Sequence, residues 1–184
     1  MPVSIVLLRG INIGPNNRIA MPALRAALAD AGFKNPRTYV QSGNIAVGTD
    51  LAGSELTDGV VRLITERFGL AVPAVVRSGR ELARVVAENP FPEQAAQEPK
   101  RLQVSFVEGS LRDDLQAVLE ELAAPTERVA VRDRHIYAWH PEGVARSKLW
   151  AKLGAKGGLG RDVTVTSRNW TTVLALLEMA NADA

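Results

Sequence analysis

One order of elements occurs twice along the chain. A strand, an amphipathic helix, a hairpin, a second helix, a further strand and a capped helix run from Val3 to Val86. The same order returns from Leu102 to Leu177. Val3–Leu8 is a short apolar run closed by Gly10, the pattern of a buried strand. Pro22 suits a first helical turn, Leu24, Ala27, Leu28 and Ala31 make the apolar face behind it, and Gly32 ends the helix. Arg37–Gln41 and Asn44–Val47 read as strands joined by a tight Ser42-Gly43 turn. Ser54 caps a helix with Leu56, Val60, Leu63 and Ile64 on one stripe. Val72–Arg77 is a fourth strand, and Ser78-Gly79-Arg80-Glu81 is a capping box before Leu82, Val85 and Val86.

In the second half, Leu102, Val104 and Phe106 alternate with Gln103 and Ser105. Ser110 is expected to cap a helix with Leu111, Leu115, Val118, Leu119 and Leu122 inside. Arg128–Arg132 and His135–Trp139 flank an Asp133-Arg134 turn, and a short helix runs from Ser147 to Leu153. Asp162–Thr166 reads as a strand, and Ser167 as the cap of a last helix packed through Trp170, Val173, Leu174 and Leu177. The expected fold class is therefore α+β: a tandem of two ferredoxin-like βαββαβ units, each followed by an extra helix. The polar stretch Glu93–Lys100 is the expected linker between an N-terminal half, 1–98, and a C-terminal half, 99–184.

Composition narrows the function classes. A chain of 184 residues that is 46% hydrophobic has material for a core without staples. It contains no cysteine, which removes thiol nucleophiles, disulfides, iron–sulfur clusters and cysteine zinc sites together. His135 and His140 do not pre-form a metal pair, and no cofactor is expected. A net charge of +2 demands neither nucleic acid nor an anionic membrane. No stretch approaches the ~20 apolar residues of a spanning helix. Val3–Leu8 is short and lacks a basic flank, so it does not read as a signal peptide, and a cytoplasmic protein is expected.

The chemistry-bearing residues gather at strand ends. Arg9-Gly10-Ile11-Asn12 follows the first strand, and Gln41-Ser42-Gly43-Asn44 joins the second to the third. In a ferredoxin-like unit, strands one and two are parallel, with strand three antiparallel between them. Arg9, Asn12, Gln41, Ser42 and Asn44 should therefore share one edge. Arginine offers a planar fork of donors suited to carboxylate or phosphate, and Gly10 and Gly14 admit close backbone approach. The competing reading is structural: Asn12 and Asn44 bond their own turns, and Gly43 supplies a positive φ.

Other features are weaker. The loop with Gly154, Gly157, Gly158 and Gly160 matches neither the P-loop nor the dinucleotide fingerprint, and reads as a connector. Lys148, Lys152 and Lys156 fall at helical spacing, a basic face with Arg146, Arg161 and Arg168 close in sequence. Arg168 and Asn169 are placed in the first turn of the last helix, where a cation opposes the helix dipole. Glu108 and Asp133 are a poor catalytic pair, and no Ser-His-Asp arrangement is apparent.

Leu7-Leu8-Arg9-Gly10-Ile11-Asn12, Tyr39-Val40-Gln41-Ser42-Gly43-Asn44, Asn89-Pro90-Phe91-Pro92, Arg146-Ser147-Lys148-Leu149 and Arg168-Asn169-Trp170-Thr171-Thr172-Val173 occur in that order. In these motifs the chain resembles a bacterial family catalogued as domain of unknown function 1697. The resemblance implies a two-part α+β fold. It also implies that Arg9, Asn12, Gln41, Ser42, Asn44, Lys148, Arg168 and Asn169 are the positions the family favours. It implies no substrate. The leading expectation is a binding protein for a small anionic or nucleotide-like ligand. A nucleic-acid-binding protein using the basic face around Lys148–Lys156 is one alternative, with Tyr39, Tyr137 and Trp139 as its few strand aromatics. An enzyme working through Lys148 or Ser42 without thiol or metal chemistry is another.

Overall fold

The computed structural model describes residues 1–51, 53–155, 157–160 and 162–182. The chain groups into two compact units, one formed by Met1–Arg84 with the segment from Leu174 on, the other by Val85–Val173. Each is an α+β unit built on a four-stranded antiparallel sheet.

The first unit contains β1 (Val3–Leu8), α1 (Met21–Asp30), β2 (Lys34–Tyr39), β3 (Asn44–Gly48), α2 (Gly53–Phe68) and β4 (Ala74–Ser78). The sheet order is β2-β3-β1-β4. Because β1 and β2 both run antiparallel to β3, they are parallel to each other. Leu7 and Tyr39 both pair with Asn44, so the carboxyl ends of β1 and β2 meet the start of β3. One sheet face packs Val6, Leu8, Ile45, Val47, Ala74 and Val76 against Leu24 and Leu28 of α1 and Leu56, Val60 and Ile64 of α2. The opposite face carries Ile5, Leu7, Val75 and Arg77, also fully buried, so β1 is buried on both faces and its apolar residues, broken only by Ser4, do not alternate with polar ones.

After β4 comes α3 (Gly79–Ala87). Its capping box is reciprocal: the Glu81 N–H donates to Ser78 Oγ at 3.2 Å, and the Ser78 N–H donates to Glu81 Oε2 at 2.8 Å.

The second unit holds α4 (Pro92–Gln97), β5 (Leu102–Glu108), α5 (Leu115–Leu122), β6 (Arg128–Arg132), β7 (His135–Trp139), α6 (Lys148–Gly154) and β8 (Thr164–Asn169). Its order, β6-β7-β5-β8, is that of the first sheet. Val107, Ile136, Ala138 and Val165 pack against Leu115 and Leu119 of α5 and Leu149 and Leu153 of α6. Arg132 pairs with His135, leaving Asp133-Arg134 as the two-residue turn. The unit ends in α7 (Trp170–Asn181), whose later turns belong to the first unit, where Arg37 donates to the Met179 carbonyl at 2.8 Å. The division between the units thus falls within α3 and again within α7.

Several local expectations need correction. Glu93–Lys100 is not an open linker: Pro92–Gln97 is helical and buries Ala95. The β2–β3 connection is a four-residue turn, 40–43, because Val40 leaves the strand. Ser110 does not cap α5, which begins at Leu115. β8 runs through Arg168 and Asn169, so these close a strand and do not open the helix. On α7 the buried positions are Trp170, Val173, Leu176 and Ala180, while Leu174 is exposed.

Candidate functional site

At the strand-end edge of the first unit, two asparagines hold the loop and the turn together. Asn12 turns its backbone back on itself at φ 54°, and its N–H donates to the Asn17 carbonyl at 3.0 Å. Its side chain receives the Ile19 N–H at 2.9 Å and donates to the carbonyls of Ile19 at 3.0 Å and Gln41 at 2.7 Å. One amide therefore closes the 12–19 loop and fastens it to the β2–β3 turn. Asn44 is fully buried, and its amide donates to the Tyr39 carbonyl at 3.1 Å and Ser42 Oγ at 3.0 Å, holding the turn from below. Gly43 is needed for space as well as for its φ of 71°. A Cβ there would sit 2.7 Å from Leu8 Cβ and 2.8 Å from Ile11 Cδ1.

At the same edge Arg9 is half-buried, and Gln41 and Ser42 are exposed. Two aliphatic side chains join them: Ile13 is 74% exposed and Val40 is 54% exposed. They are the chain neighbours of Asn12 and Gln41, which the 2.7 Å bond links. Val40 also has a φ of 49°. A β-branched residue in the left-handed region is strained by roughly 1–3 kcal/mol, and such strain clusters at binding and switch sites. The sequence motif around Val40 was visible, but its backbone angle was not.

Lys148, Arg168 and Asn169 belong to the second unit. Lys148 is exposed at the start of α6. Arg168 is buried; burial pushes its guanidinium down to about 10, and it donates to Thr166 Oγ1 and the Ser167 carbonyl, each at 2.8 Å. Asn169 Oδ1 receives the Thr172 N–H at 2.9 Å, making it the cap of α7 that Ser167 was expected to be. Of the basic face, Lys148 and Lys152 lie on α6, which ends at Gly154; Lys156 and Arg161 lie outside the described residues. Tyr137 is buried and donates to the Val85 carbonyl at 2.8 Å, so it is no stacking platform. Glu108 pairs with Arg134 at 3.3 Å. The glycine loop flanks a hollow of about 490 Å³ lined by Arg112, Lys152 and Asp162, with Arg112 paired to Asp114. Gly158 is fixed by packing, since a Cβ would fall 2.3 Å from the Lys152 carbonyl oxygen.

A polar centre that sequence reasoning missed lies between α5 and α6. Glu127 is buried, and its carboxylate receives the Ala124 N–H at 2.9 Å, His140 Nδ1 at 2.6 Å and the Ser147 side chain. Burial alone would raise this carboxyl. The bonds from Ser147, Ala124 and His140 outweigh it and hold the group below the ordinary carboxylate range. His140 is fully buried, edge-on to Trp150, and its Nε2 has no hydrogen-bond partner among the described residues. The carboxylate sits between serine and histidine, which is not the order of a nucleophile–base–orienter triad. Among the described residues no group of three or more His, Asp or Glu could hold a metal, and no helix is long and apolar enough to cross a membrane.

Comparison with known proteins agrees with the geometry in fold and leaves the chemistry open. The model of a family described as protein of unknown function (DUF1697) matches residues 1–137, and the chain belongs to that family. No curated protein shows significant similarity. A solved structure described as the conserved bacterial protein SP0830 from Streptococcus pneumoniae aligns with a TM-score of 0.78 at 20% identity, covering 97% of this chain and 98% of that one.

Proposed function

For this member of a family of unknown function, we propose that the strand-end edge of the first unit binds a small anionic, nucleotide-like ligand. The observation that carries the reading is Val40, strained at φ 49° and exposed beside Gln41 and Ser42 on a turn that Asn44 and Asn12 fix from beneath. A turn optimised for stability alone would place glycine or asparagine there. Arg9 supplies the cation for a phosphate or carboxylate, and Ser42 and Gln41 supply hydroxyl and amide partners. Ile13 and Val40 offer an apolar surface for a flat or aliphatic portion of the same ligand. Loops clamped before the ligand arrives lose little entropy on binding.

The test is a thermal-unfolding screen of the full chain with pyrophosphate, AMP, ADP and NAD as probes. A ligand that binds only the folded state stabilises it by RT ln(1 + [L]/Kd). At least one nucleotide should raise the melting temperature. Arg9→Ala should remove that shift while changing the ligand-free stability by no more than about 0.5 kcal/mol. Unfolding of the Arg9→Ala variant would make Arg9 a structural tie, and silence from every probe would refute the ligand class.

A further inference from the structure

The second unit carries a site of its own, independent of the reading above. We propose that the groove between the end of α5 and the start of α6 binds a small zwitterion of the α-amino-acid class, with Glu127 receiving its ammonium group and Arg146 with Lys148 receiving its carboxylate. Two adjoining hollows, of about 250 Å³ and 310 Å³, share Ala124, Glu127, Arg146 and Ser147 in their walls. The larger stands at the lower end of the range for small-molecule sites, roughly 300–1,000 Å³, and the smaller just below it. Glu127 is only 8% exposed yet lines both hollows. A carboxylate sunk into a wall this way loses much of its hydration. Its three protein donors leave acceptor capacity on the two oxygens, since a carboxylate offers about four lone-pair positions. An incoming ammonium group supplies the missing donor and the opposite charge.

The sign of the rim decides the rest. Arg146 and Lys148 are exposed on the wall, either side of Ser147 in sequence. Glu142 lines one hollow and Glu121 the other. Three carboxylates against two cations disfavour a phosphate or other polyanion. A molecule bearing one charge of each sign satisfies both groups. This assignment gives the Arg146-Ser147-Lys148 motif a role that the first-unit site does not use. Ser147 acts here by orientation: its hydroxyl oxygen receives the Trp150 N–H at 3.0 Å while it bonds Glu127.

The experiment is calorimetric titration of the full chain with the proteinogenic L-amino acids one at a time. For whichever binds, its N-acetyl derivative, with no ammonium, and its amide, with no carboxylate, are titrated as well. Saturable binding of at least one zwitterion is expected, with both derivatives weaker by about tenfold or more, the loss of one charge-assisted hydrogen bond. Arg146→Ala, at an exposed position, should restrict the loss to the carboxylate end: it weakens the zwitterion and leaves the amide unaffected. Glu127→Gln should weaken the zwitterion and leave the N-acetyl form unaffected; if that variant does not fold, the Arg146→Ala comparison decides alone. No saturable binding below roughly 10 mM for any amino acid, or an N-acetyl form that binds as tightly as its parent, overturns the proposal.

Discussion

Replacing Asn12 separates the two roles assigned to the strand-end edge. Asn12→Ala removes three side-chain hydrogen bonds, two of them to the backbone of Ile19. Ile19 is buried, so its freed N–H and C=O have poor access to water. At ~1 kcal/mol each these two bonds account for ~2 kcal/mol. The third, to the exposed carbonyl of Gln41, is replaced by water and adds little. Alanine held at φ 54° adds ~1 kcal/mol relative to asparagine. The expected loss is therefore about 3 kcal/mol. Asn12→Gly should lose only about 2 kcal/mol, because glycine accepts the positive φ without the hydrogen bonds. Urea unfolding followed by far-UV circular dichroism is the assay. Tryptophan fluorescence would mislead, since Trp139, Trp150 and Trp170 all lie in the second unit. An Asn12→Ala midpoint within ~0.5 kcal/mol of the parent, or a glycine variant worse than the alanine one, would refute the assignment of Asn12 as a strut.

Three further outcomes follow from groups elsewhere. Ser78→Ala should cost ~1 kcal/mol through the broken capping box, seen as a lower urea midpoint, while Ser78→Thr, which keeps the hydroxyl as both acceptor from Glu81 N–H and donor to its carboxylate, should cost less. Glu127 has its folded pKa below its unfolded value, so its stabilising effect is present above pH ~4.5 and fades as pH falls below that; Glu127→Gln should show a shallower acid loss in urea midpoints measured from pH 7 to pH 3. Tyr137 is pushed up to about 12, by burial first and then by Glu88, with Arg132 opposing; the neutral form is favoured by folding, so absorbance at alkaline pH should show one tyrosine ionising near 12, and stability should decline as pH rises above ~10.

The strongest signals in the sequence were those tied to periodicity. Apolar runs such as Val3–Leu8 and stripes such as Leu56, Val60 and Ile64 report burial directly, so the two ferredoxin-like units and their strand orders were legible. The edge that collects Arg9, Asn12, Gln41, Ser42 and Asn44 followed from topology alone. Short elements were not legible. α4 has only Ala95 buried, and its polar composition resembles a linker; Pro92 at its start was the available hint, since proline suits a first helical turn. Asn44 and Asn12 showed their residue types but not their bonds, so a strut and a ligand contact looked alike. The Glu127–His140 pair stayed hidden because the two lie thirteen positions apart, on either side of a hairpin whose ends only the folded sheet brings together.

If the loop and turn at the carboxyl ends of β1 and β2 recognise a nucleotide-like ligand, their backbone amides will report it. The measurement is amide-resolved NMR of the full chain, titrated in turn with pyrophosphate, AMP, ADP and NAD. Saturable shifts are expected at Arg9 to Arg18 and Val40 to Gly43, abolished by Arg9→Ala. Unshifted resonances in both segments at millimolar concentrations of every probe, or shifts confined to the second unit, would place recognition elsewhere.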